Sequence, residues 1–295
     1  MNNAKLLFVV IAQVLVFSLL VSGQAQAPPG QQSSTPPPED GIGVAPARFE
    51  LPMSPGTEKT VVVNVIYNAA SNESQPCRLV ASLGDWTILN NGDAEYYKAG
   101  TQNNSACSWL TYSPAQMTAL PGKVHPIRIT ISVPKDATPG DHLAALFVES
   151  RPDNLKLDQD RRQVILRFRM AALFYVMVPR LTRRGSLLNV AAQVSEQGIV
   201  VVPTLRNEGN SHVRPIESVK IVASSGVVVA ELTESEATPV LGGAEVSHVI
   251  LIQKSIPPGT YSVRYRIDFK DGNPITEGQS ELVVKDHRPA QKSMG

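Results

Sequence analysis

Runs of period-two apolar alternation, turn dipeptides between them and the lack of a convincing amphipathic helix predict an all-β chain folded as two sandwiches in tandem. Val61, Val63, Val65 and Tyr67 alternate with more polar positions, and Ile127, Ile129, Ile131 and Val133 alternate with Arg128, Thr130 and Ser132. A period of two with one polar face is what a sheet needs to cover a core on one side. Pro55-Gly56, Asn91-Gly92, Pro121-Gly122 and Pro139-Gly140 supply turn chemistry between the runs. A length of 295 residues gives each of two domains room for its own core.

Taken in order, Lys5 precedes an apolar run from Leu6 to Val21, and small residues follow at Ser22, Gly23, Ala25 and Ala27. This reads as a secretory signal peptide over 1–27, although a retained signal anchor would share the pattern up to Val21. Residues 28–43 form a Pro- and Gln-rich spacer with little to bury. The first domain is expected over 44–180, closed by the longest strand in the chain, Val164 to Val178. On that strand Val164, Leu166, Phe168, Met170, Ala172, Phe174 and Val176 share one face. Arg167 and Arg169 begin the other face and Leu173, Tyr175 and Met177 continue it, so the strand passes from a half-exposed to a covered setting.

Pro179 ends the strand and a hinge follows. The second domain is expected over 186–285, with strands near Leu187–Val194, Ile199–Leu205, Glu217–Val222, Val227–Leu232, Val246–Ile252, Tyr261–Phe269 and Glu281–Val284. That strand number and spacing suit an immunoglobulin-like sandwich. Residues 286–295 are a polar tail.

The chemistry-bearing residues are sparse. The five histidines are scattered, and there is no Gly-x-Ser-x-Gly elbow, His-Glu-x-x-His motif or Gly-rich phosphate loop. The expectation is a chain with no catalytic residues, no metal site and no cofactor. The formal net charge of +1 provides no field toward nucleic acid. Beyond the leader, no apolar run is long enough to cross a bilayer as a helix. The two cysteines, Cys77 and Cys107, read as a disulfide in an oxidising compartment, worth ~3–4 kcal/mol for a loop of this length, with a metal pair as the weaker alternative. Trp86 and Trp109 read as core or near-core residues, or as exposed sugar platforms.

Several segments together resemble the periplasmic pilus-assembly chaperone (PapD-like) superfamily. They are Gly43-Val44-Ala45-Pro46-Ala47-Arg48-Phe49 leading to Pro55-Gly56, Trp109-Leu110-Thr111-Tyr112-Ser113-Pro114 before Leu120-Pro121-Gly122, and the long strand ending at Pro179. Arg206-Asn207-Glu208-Gly209-Asn210-Ser211-His212-Val213-Arg214-Pro215 and Pro258-Gly259-Thr260-Tyr261 extend the likeness into the second half. The resemblance implies two immunoglobulin-like domains in a PapD-like arrangement, in the periplasm. The family lends its long closing strand to a subunit that lacks one, a case of strand addition. On that basis Arg48, Leu166, Phe168 and Met170 are the expected client-binding residues, and the partner is an exported, pilus-like subunit. The family's second cleft cation, a lysine, falls at Phe174, so the carboxylate anchor of the family is incomplete here. The alternative reading is an extracytoplasmic structural or adhesive module binding a cell-surface protein or polysaccharide.

Overall fold

The structure, a computed structural model, describes residues 41–68, 75–151 and 167–285. The expected signal peptide, most of the spacer, Leu166 and the tail from 286 lie outside the described residues.

The chain enters the first sandwich as one edge strand divided between two sheets. β1 (Gly41–Ala45) belongs to the first sheet and β2 (Arg48–Pro52) to the second, with Pro46-Ala47 making the crossing. β1 starts inside the segment assigned to the spacer. Ile42 is the reason: it is buried opposite Tyr67, so the alternation of Ile42 and Val44 already belongs to the core.

There follow β3 (Glu58–Asn68), β4 (Cys77–Ile88), β5 (Ala94–Lys98), β6 (Leu110–Ser113), β7 (Gln116–Ala119), β8 (Val124–Ser132), β9 (Gly140–Arg151) and β10 (Arg169–Val178). The first sheet runs β1-β3-β8-β6 and the second β2-β10-β9-β4-β5, with β7 also on β4. Val63, Val65, Ile127, Ile129 and Ile131 from one sheet meet Leu79, Ala81, Leu146, Val148, Ala172, Phe174 and Val176 from the other in one core. Each large side chain buried there is worth ~1.5–3 kcal/mol.

After Pro179 the connection Arg180–Arg184 is tied to the second sandwich, where Thr182 N–H donates to Asn210 Oδ1 at 2.7 Å. The second sandwich holds β11 (Gly185–Ser195), β12 (Gly198–Asn207), β13 (Ile216–Ala223), β14 (Val228–Glu236), β15 (Glu245–Ser247), β16 (Ile250–Ile252), β17 (Gly259–Asp268) and β18 (Thr276–Val284). Its sheets are β11-β12 with β15 and β16, facing β14-β13-β17-β18. The fold is therefore all-β, two immunoglobulin-like sandwiches in tandem, with a second core around Val201, Leu205, Val219, Ile221, Val263 and Tyr265. The single strand expected over Val246–Ile252 is broken at His248-Val249. There His248 turns inward and its Nε2 meets the buried Glu217 carboxylate at 2.9 Å, a partner that carboxylate needs once removed from water.

The expected disulfide is not formed. Cys77 opens β4, whereas the Cys107 thiol lies against Asp85, 3.0 Å from Oδ1, eight residues further along that strand. At about 3.3 Å per residue that separation is roughly 25 Å, far beyond the ~7 Å that a bridge can span between α-carbons. Burial, with the Asp85 carboxylate beside it, pushes the Cys107 thiol up to about 12, so it stays protonated. Trp86 is buried, its indole N–H donating to Ala144 O at 3.1 Å, and Trp109 is half-buried with its ring tilted against His142.

Candidate partner-binding edge and interdomain cleft

β10 is paired differently along its two halves. Antiparallel β9 accompanies it on one side from Arg169 to Val178, while on the other side parallel β2 covers only Leu173 to Met177. Among the described residues no strand covers Arg169–Ala172 on that second side. The direction of the backbone groups follows from two bonds. Ser150 N–H donates to Phe168 O, so even-numbered residues face β9, and Leu173 N–H donates to Ala47 O, so odd-numbered residues face the β2 side. The N–H and C=O of Arg169 and Ala171 thus point out of an open edge, a ready template for another strand.

The side chains alternate across the same strand. Ala172, Phe174 and Val176 enter the first core, and Phe174 stacks on Phe49 with ring centroids 4.8 Å apart. Phe174, where the resemblance places a cleft lysine, is therefore a core residue. Across from Arg48 in the register stands Leu173, and Tyr175 follows on the same outer face. Phe168, an expected client-binding residue, is half-buried and packs against the first core on the same face as Phe174. Met170 stands exposed on the open edge. Leu166 lies outside the described residues.

Arg48 opens β2 beside the second sandwich, and it is already engaged. Its guanidinium lies 3.5 Å from Glu50 and 3.4 Å from Glu236. Arg214 bridges the same two carboxylates, at 2.6 Å to Glu50 and 3.1 Å to Glu236, with its guanidinium 5.2 Å over the Tyr175 ring. Burial works to raise the Glu50 carboxyl's pKa, but Arg214, His212 and Arg48 outweigh it and hold the carboxyl below its usual range. The second guanidinium of this cluster is thus Arg214, from the second sandwich, and no residue of β10 adds a cation to it.

Beneath this cluster, buried Asp141 at the start of β9 accepts from Ser211 Oγ at 2.9 Å, from His212 N–H at 2.6 Å and from His212 Nδ1 at 2.6 Å. Burial works to raise its pKa, and the His212 and Ser211 bonds outweigh burial and lower it. Serine, histidine and aspartate meet here, but not in the connectivity of a hydrolase. The fully buried Ser211 hydroxyl donates to the carboxylate, whereas nucleophilic catalysis needs it on the imidazole. The arrangement ties the two sandwiches together. Among the described residues no group of three metal-binding side chains is placed to hold an ion, and no helix is long and apolar enough to cross a membrane.

Sequence reasoning missed Asp141, Arg214 and Glu236. His212 and Arg214 lie in the Arg206–Pro215 segment of the resemblance, but their partners are too distant in sequence for spacing to reveal.

No known family pattern matches the chain, and no curated protein does. Among solved structures, the chain is similar to the class 5 fimbriae chaperone CfaA, with 11% identity and a TM-score of 0.40 over 83% of this chain and 100% of that one. It is similar to the CupB2 chaperone of Pseudomonas aeruginosa at 14% identity and a TM-score of 0.38, covering 81% and 97% of the two chains. A third likeness, at 14% identity and a TM-score of 0.41 over 82% and 97%, is to the CsuC–CsuE chaperone–tip adhesion subunit pre-assembly complex from the archaic chaperone-usher Csu pili of Acinetobacter baumannii.

Proposed function

We propose that this chain is a non-catalytic, periplasmic chaperone-like protein that binds an exported subunit of pilus or fimbrial type and assists its assembly. It does so by donating the open edge of β10. The observation that carries this reading is the half-paired strand: Arg169 and Ala171 turn their backbone groups to an edge that β2 leaves uncovered, directly beside a rigid, fully paired continuation. A strand added there gains main-chain bonds without either partner reorganising its sheet. The small side chain at Ala171 leaves room beside the incoming backbone.

The test uses two proline variants. Proline at 171 removes a donor that faces outward, a position where an edge strand tolerates it, whereas proline at 172 removes a donor that faces β9. The wild-type protein and Ala171→Pro are purified from the envelope of cells that make them, without denaturant, and retained proteins are weighed by mass spectrometry. The expected result is a stoichiometric partner on the wild type, at least tenfold depleted on Ala171→Pro while that variant keeps its cooperative unfolding. Ala172→Pro should instead lower stability. Equal partner retention by wild type and a folded Ala171→Pro would overturn strand donation.

A further inference from the structure

Resting on the strand-donation reading, we infer that the partner segment accepted by β10 carries an acidic side chain beside Arg169. Arg169 is exposed on the open edge, and its guanidinium is held 3.7 Å over the Phe147 ring. Phe147 is itself fixed in place. Tyr96 meets it edge-on at 5.3 Å, and it lies over Gly84, where any Cβ would come within 2.5 Å of the ring. Arg169, Phe147, Tyr96 and Lys98 line an open depression of about 490 Å³ on the outer face of the sheet.

Among the described residues, Arg169 forms no ion pair. Glu149 is opposite it in the ladder, but that carboxylate pairs with Arg151 at 3.6 Å, while Arg169 turns to the aromatic ring. Lys98 and the exposed Arg167 add further positive charge to this end of the face. An added strand would set its alternate side chains next to Arg169 and Ala171, since β2 already pairs from Leu173 onward. Like charges directly opposite one another in a sheet repel and opposite charges attract, so the edge selects for acid at the first of these positions. An arginine already oriented by an aromatic face loses little freedom when it takes up a carboxylate.

Two labelled synthetic peptides test this, one alternating valine with glutamate and one alternating valine with lysine, measured by fluorescence anisotropy at matched ionic strength. The glutamate peptide should bind wild type about three- to fivefold more tightly. Arg169→Glu should reverse that order, and Arg264→Glu, an exposed arginine of the second sandwich, should leave it unchanged. Equal binding of the two peptides, or an order that Arg169→Glu does not move, overturns the acidic preference and leaves strand donation standing. Binding of neither peptide, with or without binding of polygalacturonate as an acidic glycan probe, overturns both.

Discussion

The outer face of the first sandwich's larger sheet is two different surfaces laid along the same strands. Toward Val178, Trp86, Leu143, Tyr175 and Met177 form an apolar layer that Leu241 and Ala244 of the second sandwich cover. Toward Arg169 the same strands carry Arg169, Glu149, Arg151 and Lys98 around Phe147 and Tyr96, and the β2 edge is missing. One end has its backbone groups paired and its side chains buried, and it serves stability. At the other, the outward backbone groups of Arg169 and Ala171 meet no described strand and the face carries exposed charge, the surface on which the proposed function rests. Changes at the covered end should therefore be read in unfolding experiments, and changes at the open end in binding.

Trp86→Ala should have the largest effect. It empties a fully packed site, removes the bond to Ala144 O and strips Tyr175 of its edge contact at 5.0 Å, costing ~3–5 kcal/mol in denaturant unfolding. A loss below ~1 kcal/mol would show that the two sandwiches do not share this layer.

Asp141→Ala should cost about 3 kcal/mol, because it leaves the Ser211 hydroxyl, the His212 N–H and the His212 ring Nδ1 buried without that acceptor. The sign of the pH dependence follows from the lowered pKa of Asp141. Its contribution is fully present above the ordinary carboxyl value, and it declines as pH drops below ~4, through the ordinary value and toward the depressed one. Unfolding free energy measured across this range should fall more steeply for wild type than for Asp141→Asn. Parallel curves would contradict the assignment of Asp141 as the interdomain tie.

Gly84→Ala acts on the open end. The added methyl meets Phe147 Cε2 at 2.5 Å and Tyr97 O at 2.8 Å, so the strand or the ring must move, at ~1–3 kcal/mol. It should also shift the Phe147 ring resonances and weaken glutamate-peptide binding. The smallest effect belongs to Glu236→Gln, an exposed partner of Arg48 and Arg214, at under ~1 kcal/mol in unfolding.

The strands were legible because burial on one face writes a period of two into the sequence, as at Ile127–Val133 and Tyr261–Phe269, and the structure places strands at both. The turn onto a second sheet at Pro46-Ala47 was not legible, since β1 and β2 are each too short to show a period. Cys77 and Cys107 misled because a gap counted along the chain says nothing about where a long strand carries its two ends. For Phe168, parity with Phe174 was legible, but which face held the core was not. The setting of Arg48 was not legible either. Its partner Glu236 lies 188 positions away, and only the docking of one sandwich on the other brings the two together.

Amide hydrogen exchange at Arg169, Met170, Ala171 and Ala172, read residue by residue with and without the co-purified partner, tests the open edge most directly. Fast exchange at Arg169 and Ala171 beside slow exchange at Met170 and Ala172, with the partner slowing only the first pair, is the predicted result. Equal protection at all four positions, unchanged when the partner binds, would contradict it.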